Sequence, residues 1–128
     1  MTKTTFKKTI VVDFDGVLHW YRKGCQDGAI YDEPVPGSFD WLRMLLGPGA
    51  EEFEVCIYSS RSKDGAGVHA MGEWFIRHGL SVDELNQLKF PTQKPAAWIT
   101  IDDRAFHFRG ELPTAEYMAN FKAWMQER

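Results

Sequence analysis

Four aspartates, two serines and two cations in this chain stand where they could act together. Asp13 and Asp15 lie two residues apart, just past the β-branched run Thr9-Ile10-Val11-Val12. Ser59, Ser60 and Arg61 follow a second apolar run, Phe53 to Tyr58, and Asp102-Asp103 follow another, Ala97 to Ile101. Lys94 stands eight positions before Asp102. The aspartates bring four negative charges, and Lys94 and Arg61 return two. Clustered carboxylates repel, so one is protonated or a cation sits among them. Oxygen ligands without His or Cys suit Mg²⁺ rather than zinc. With one aspartate protonated and Mg²⁺ bound, the site sums to about +1 and could accept a phosphate.

These groups converge only if the runs ahead of them are neighbouring parallel strands. Thr9–Val12 is continuous and β-branched, as expected of a strand buried on both faces. Phe53–Tyr58, a short Asn86–Phe90 and Ala97–Ile101 read as three more strands. Between them the spacing predicts helices over Pro36–Leu46 and Val68–His78, with a last amphipathic helix over Thr114–Gln126. Gly47-Pro48-Gly49 and Gly79 act as helix stops. Strands alternating with helices imply a parallel sheet with right-handed crossovers. Ligands of such sheets bind at the carboxyl ends of the strands, where the polar groups sit here. The polar, aromatic stretch Val17–Glu33 reads as a hairpin or flap over that edge.

Length and composition fit a single domain spanning 1–128. At 128 residues, 44% apolar and 26% charged, the chain can bury a core of its own. Its net charge of −3 and lack of a basic stripe argue against a general nucleic-acid binder. They leave open an enzyme that acts on one nucleic-acid end. Cys25 and Cys56 match neither a CxxC pair nor a zinc pattern, which points to a reducing cytoplasm. No apolar run approaches a membrane span of about 18 residues. Five tryptophans predict a packed aromatic cluster or an aromatic-lined groove.

Asp13-Phe14-Asp15-Gly16-Val17-Leu18 after its strand resembles the first motif of the haloacid dehalogenase (HAD) superfamily of phosphatases. Ser59, Lys94 and Asp102-Asp103 resemble its second, third and fourth motifs, in the family's order. The resemblance implies a three-layer Rossmann-like domain, a parallel sheet flanked by helices. The intervals Asp13–Ser59 and Ser59–Lys94 leave no room for a cap domain, only for a short flap after the first strand. It further implies Asp13 as the nucleophile that forms an aspartyl-phosphate and Asp15 as general acid/base. Ser59 would hydrogen-bond the phosphoryl oxygens, with Ser60 the neighbouring candidate. Lys94 would neutralise nucleophile and phosphate. Asp102 and Asp103 would hold Mg²⁺ together with Asp13 and the main-chain carbonyl of Asp15. The substrate would be a phosphorylated small molecule or nucleotide, or a nucleic-acid end.

Plainer roles exist for the same residues. Asp13 and Asp15 could merely bracket an Asp-Gly turn, and Ser59 or Ser60 could cap a helix. Lys94 could be a solvated surface residue and Asp103 a partner for Arg104. Arg61 could bind substrate or pair with a surface carboxylate. His19, Trp20, Tyr21 and Arg22 could face substrate from the flap, or Trp20 and Tyr21 could be core. A non-catalytic phosphate-binding domain of the same fold is the reading from outside enzymology. Intact Asp13 and Asp15 argue against it.

Overall fold

A computed structural model describes residues 6–124. Three strands, β1 (Lys8–Val12), β2 (Phe53–Ile57) and β3 (Ile99–Ile101), form a parallel sheet in the order β2-β1-β3. Helices α1 (Ser38–Leu46), α2 (Gly65–Arg77), α3 (Val82–Gln87) and α4 (Ala115–Ala119) complete an open α/β fold. A 3₁₀ turn, Ser60–Lys63, separates β2 from α2. Among the described residues, no helix is long and apolar enough to cross a membrane.

The register does the positioning. Val12 pairs with Ile57 on one side and with Ile101 on the other. The ladder runs one step further: Tyr58 N–H donates to the Val12 carbonyl and Asp13 N–H to the Ile101 carbonyl. All three strands therefore end level, and Asp13, Ser59 and Asp102 emerge at one edge. The apolar strand ends, Val11-Val12 and Cys56-Ile57, are buried, as their continuous hydrophobicity demands.

Two sequence expectations change. The strand expected over Asn86–Phe90 shrinks to one bridge, Lys89 to Cys56, because Ser81 and Glu84 form a capping box that commits Val82–Gln87 to helix. The last helix is cut to Ala115–Ala119, and the expected stripe residue Met125 lies outside the described residues. Trp124, though exposed, is tied back to the first strand's turn, its indole N–H donating to the Gly16 carbonyl 108 positions away.

An aromatic cluster centres on the fully buried Trp74, 5.0 Å from Phe14 and 5.6 Å from Phe39 in edge-to-face contacts. Its indole N–H reaches the Asp32 carbonyl at 2.9 Å and so ties α2 to the flap. Trp74→Ala should lower stability by about 3–5 kcal/mol. The fall is measured as the shift in urea midpoint, and an unchanged midpoint would remove this cluster from the core. Trp74→Phe keeps one aromatic ring but loses the rest of the indole volume and the hydrogen bond to Asp32, so its cost should be smaller than that of Ala yet above about 1 kcal/mol.

Candidate active site

Phe14 explains why Asp13 and Asp15 reach the same cavity. Its ring is fully buried against Trp74 and Phe75, which leaves the residues on either side to face out of the core. Its carbonyl accepts from the N–H groups of Leu18 and His19, both at 3.0 Å, closing a tight turn. Gly16 takes φ 86° in that turn, a conformation that disfavours a side chain.

Asp13, Asp102 and Asp103 each bring a carboxylate oxygen within 4.8 Å of the others. Burial, then the charge of Asp102 and of Asp103, pushes the Asp13 carboxyl up to about 7, against the pull of the Phe14 N–H bond. Burial likewise raises Asp103. Among the two ways to relieve such a cluster, a proton on Asp13 is one and a hard cation is the other. The oxygen-only donor set fits Mg²⁺. Asp102 Oδ1 also accepts the Arg104 N–H at 2.8 Å, which fixes the loop behind the trio.

Asp15 stands outside that trio, clamped by two partners. Arg61 Nε and Nη2 donate to its two oxygens at 2.9 and 3.1 Å. His19 Nδ1 lies 2.8 Å from Oδ1. His19 Nε2 accepts the Asp32 N–H at 3.0 Å, so the ring proton sits on Nδ1 and is donated to Asp15. Burial alone would raise the Asp15 carboxyl, but the His19 and Arg61 hydrogen bonds and the Arg61 charge hold it below the usual range. Arg61 also donates to the Gly28 carbonyl, linking strand edge to flap. Its backbone is pressed by α2, since a Cβ on Gly67 would overlap the Arg61 carbonyl.

Ser59 is buried and caps the 3₁₀ turn, its Oγ accepting from Arg61 N–H at 3.2 Å. Its hydroxyl proton remains available to a ligand. Ser60 is exposed beside it. Both line a cavity of about 450 Å³ together with Asp13, Asp15, Asp103, Arg104 and the flap residues Tyr21 to Gly24.

The chain matches no family model, no curated protein and no solved structure.

The structure gathers Asp13, Asp15, Ser59, Ser60, Arg61, Asp102 and Asp103 at one edge. It does not bring Lys94 there. Lys94 is exposed, does not line the cavity and forms no ion pair with Asp13. It sits in an irregular stretch between Pro91 and Pro95, where no ladder bond draws the chain toward the sheet. The expected contact between Lys94 and Asp13 is thus not formed in this arrangement. Arg61 pairs not with a surface carboxylate, as one of its two readings had it, but with Asp15 inside the site.

Asp32 and Lys23 escaped sequence reasoning, and His19, Arg22 and Arg104 take roles it did not assign them. His19 is fully buried and orients Asp15. Asp32 anchors the flap through Arg22, which donates to both of its oxygens at 3.1 and 2.7 Å. Those hydrogen bonds first, with the backbone N–H bonds of Arg22 and Glu33, hold the Asp32 carboxyl far below the usual range. Lys23 and Arg104 line the cavity. No spacing rule links residues across an irregular loop, so only the Asp-Gly signal near this flap was readable.

Proposed function

We propose that this protein is a Mg²⁺-dependent phosphatase of HAD type that hydrolyses a phosphate monoester through an aspartyl-phosphate. The observation that carries the reading is the Asp13–Asp102–Asp103 trio at the level ends of β1 and β3, beneath a cavity also lined by Ser59. The three-layer, capless arrangement, with the flap as the cover, belongs to the same proposal, as does a cytoplasmic location.

In the first step Asp13 attacks phosphorus and Asp15 gives a proton to the leaving oxygen. In the second, Asp15 takes a proton from water as it hydrolyses the acyl phosphate. Ser59 O–H donates to a phosphoryl oxygen. Asp13, Asp102 and Asp103, with the Asp15 carbonyl, would hold Mg²⁺, which when bound supplies the positive charge that keeps Asp13 ionised and offsets the phosphoryl charge. The ionised Asp15 clamped by Arg61 has no proton to give, so it must first take one, from solvent or from the substrate's phosphate monoanion, before it can donate to the leaving oxygen. Entry of a phosphoryl group gives the Arg61 guanidinium a second anion to grip, and its transfer relieves Asp15 of the charge that holds its proton affinity down. On this reading Lys94 contributes only if its loop moves to the strand edge when substrate binds.

The substrate is a phosphorylated small molecule or nucleotide, with a nucleic-acid end as the larger alternative. Phosphate release should be assayed over phosphorylated metabolites and 3′- or 5′-phosphorylated oligonucleotides. Release should vanish in chelator and return with Mg²⁺. Asp102→Ala and Asp103→Ala should each raise the Mg²⁺ concentration needed. Activity indifferent to chelation, or no release from any ester by folded protein with Mg²⁺, would end the proposal.

A further inference from the structure

We infer that the cavity beside Asp13 selects a small phosphate monoester that bears a second anionic group, gripped between Lys23 of the flap and Arg104 behind the aspartate trio. The inference rests on the phosphatase reading and adds the class of substrate.

The cavity is too large for a phosphoryl group alone. Its volume of about 450 Å³ lies in the range of about 300–1,000 Å³ typical of pockets that enclose whole small ligands. Asp13, Asp15, Ser59, Ser60 and Asp103 occupy the strand-edge part of its lining, and the flap and Arg104 supply the rest.

The cations in and around it divide into two kinds. Arg22 is spent on Asp32, with Glu33 4.0 Å away, and its guanidinium stacks 4.1 Å over the Trp20 ring. Arg61 is spent on Asp15 and the Gly28 carbonyl. Lys23 and Arg104 line the cavity, and neither side chain has a hydrogen bond or close ion pair among the described residues, although the Arg104 charge acts on Asp103 from a distance. They arrive from positions 81 apart in sequence (104 − 23).

Both are held at the root. The Lys23 N–H donates to the Tyr31 hydroxyl at 2.8 Å, and that hydroxyl donates to the Gly24 carbonyl at 2.9 Å. The Arg104 N–H is held by Asp102. Two backbone-anchored cations, neither hydrogen-bonded through its side chain among the described residues, thus border the cavity that contains the nucleophile. A monoester with one phosphate leaves both unpaired. A second phosphate or a carboxylate gives them a charge-assisted partner, and a hydrogen bond to a charged group is typically worth about 10- to 100-fold in affinity.

The test compares matched ligands. 2-Phosphoglycolate differs from ethyl phosphate by a carboxylate, and adenosine 3′,5′-bisphosphate differs from adenosine 5′-monophosphate by a phosphate. Dissociation constants are measured calorimetrically with Mg²⁺ on the Asp13→Asn protein, and kcat/KM on the intact one. At least one doubly anionic ligand should bind about tenfold or more tightly than its partner. K23Q and R104Q should each carry that ratio toward one. The pair that responds tells carboxylate from phosphate. Equal constants in both pairs, or a ratio that survives both substitutions, would overturn the inference. Absence of turnover with every ligand would defeat the phosphatase reading alone, because the binding ratios still decide for or against the second-anion site.

Discussion

Asp13→Asn should reduce phosphate release to the detection limit while leaving the fold intact. Loss of a covalent nucleophile typically costs on the order of 10⁴- to 10⁶-fold in turnover. The amide oxygen of Asn can still accept the Phe14 N–H that Asp13 Oδ1 accepts at 2.9 Å, so the turn keeps its bond. The stability effect has a defined sign. Burial and its two acidic neighbours raise the Asp13 carboxyl to about 7 in the metal-free protein, whereas in the unfolded chain it titrates near the ordinary 3.8. Between those values the unfolded state is ionised and the folded state holds a proton, so this group's contribution to stability falls as pH rises from about 4 to about 7. Asn carries no such proton. In chelator at pH 8 the variant should therefore melt at or above the wild type, with the gap closing toward pH 4. A folded Asn variant with wild-type activity would remove Asp13 as nucleophile.

Asp15→Asn should separate two kinds of substrate. An alkyl phosphate leaves as a poor alkoxide and needs a proton, whereas nitrophenolate leaves unaided. General acid help is typically worth about 10²- to 10⁴-fold. The loss in kcat/KM should approach that size for an alkyl phosphate and be much smaller for p-nitrophenyl phosphate. Because kcat/KM reports steps through the first irreversible one, it isolates phosphorylation of Asp13. Hydrolysis of the acyl phosphate also needs Asp15, so kcat should fall for both. The clamp sharpens the prediction. The Asn amide oxygen can still accept from His19 Nδ1–H and Arg61 Nη2, which lie 2.8 and 3.1 Å from Asp15 Oδ1, while the bond from Arg61 Nε is lost. Gross disorder of the turn is thus not the expected cause of the loss. Equal losses for both substrates would make Asp15 a positioning group.

The strand edge was legible because its signal is local. A β-branched run stopped by Asp13 and two apolar runs stopped by Ser59 and Asp102 each announce a buried strand and its end. Level register then follows from pairing equal-facing strands, as Val12 does with Ile57 and Ile101. Residue identity alone did not reveal the clamp on Asp15. His19 is four residues away but needs the flap folded back through Asp32, and Arg61 is 46 positions away. The strand expected over 86–90 does not form because the Ser81–Glu84 capping box carries the chain as helix to Gln87, leaving only Lys89 to bridge Cys56. Lys94 was placed by motif order, and motif order carries no information about the path of a proline-flanked loop.

The central claim, that Asp13 carries the phosphoryl group, is tested most directly by trapping it. Asp15→Asn protein is mixed with p-nitrophenyl phosphate and Mg²⁺, quenched in acid, digested and read by mass spectrometry. The account predicts one phosphoryl group on Asp13, absent in chelator and absent from the Asp13→Asn protein. Nitrophenol released stoichiometrically in the first turnover, with no phosphoryl group on Asp13, would contradict it.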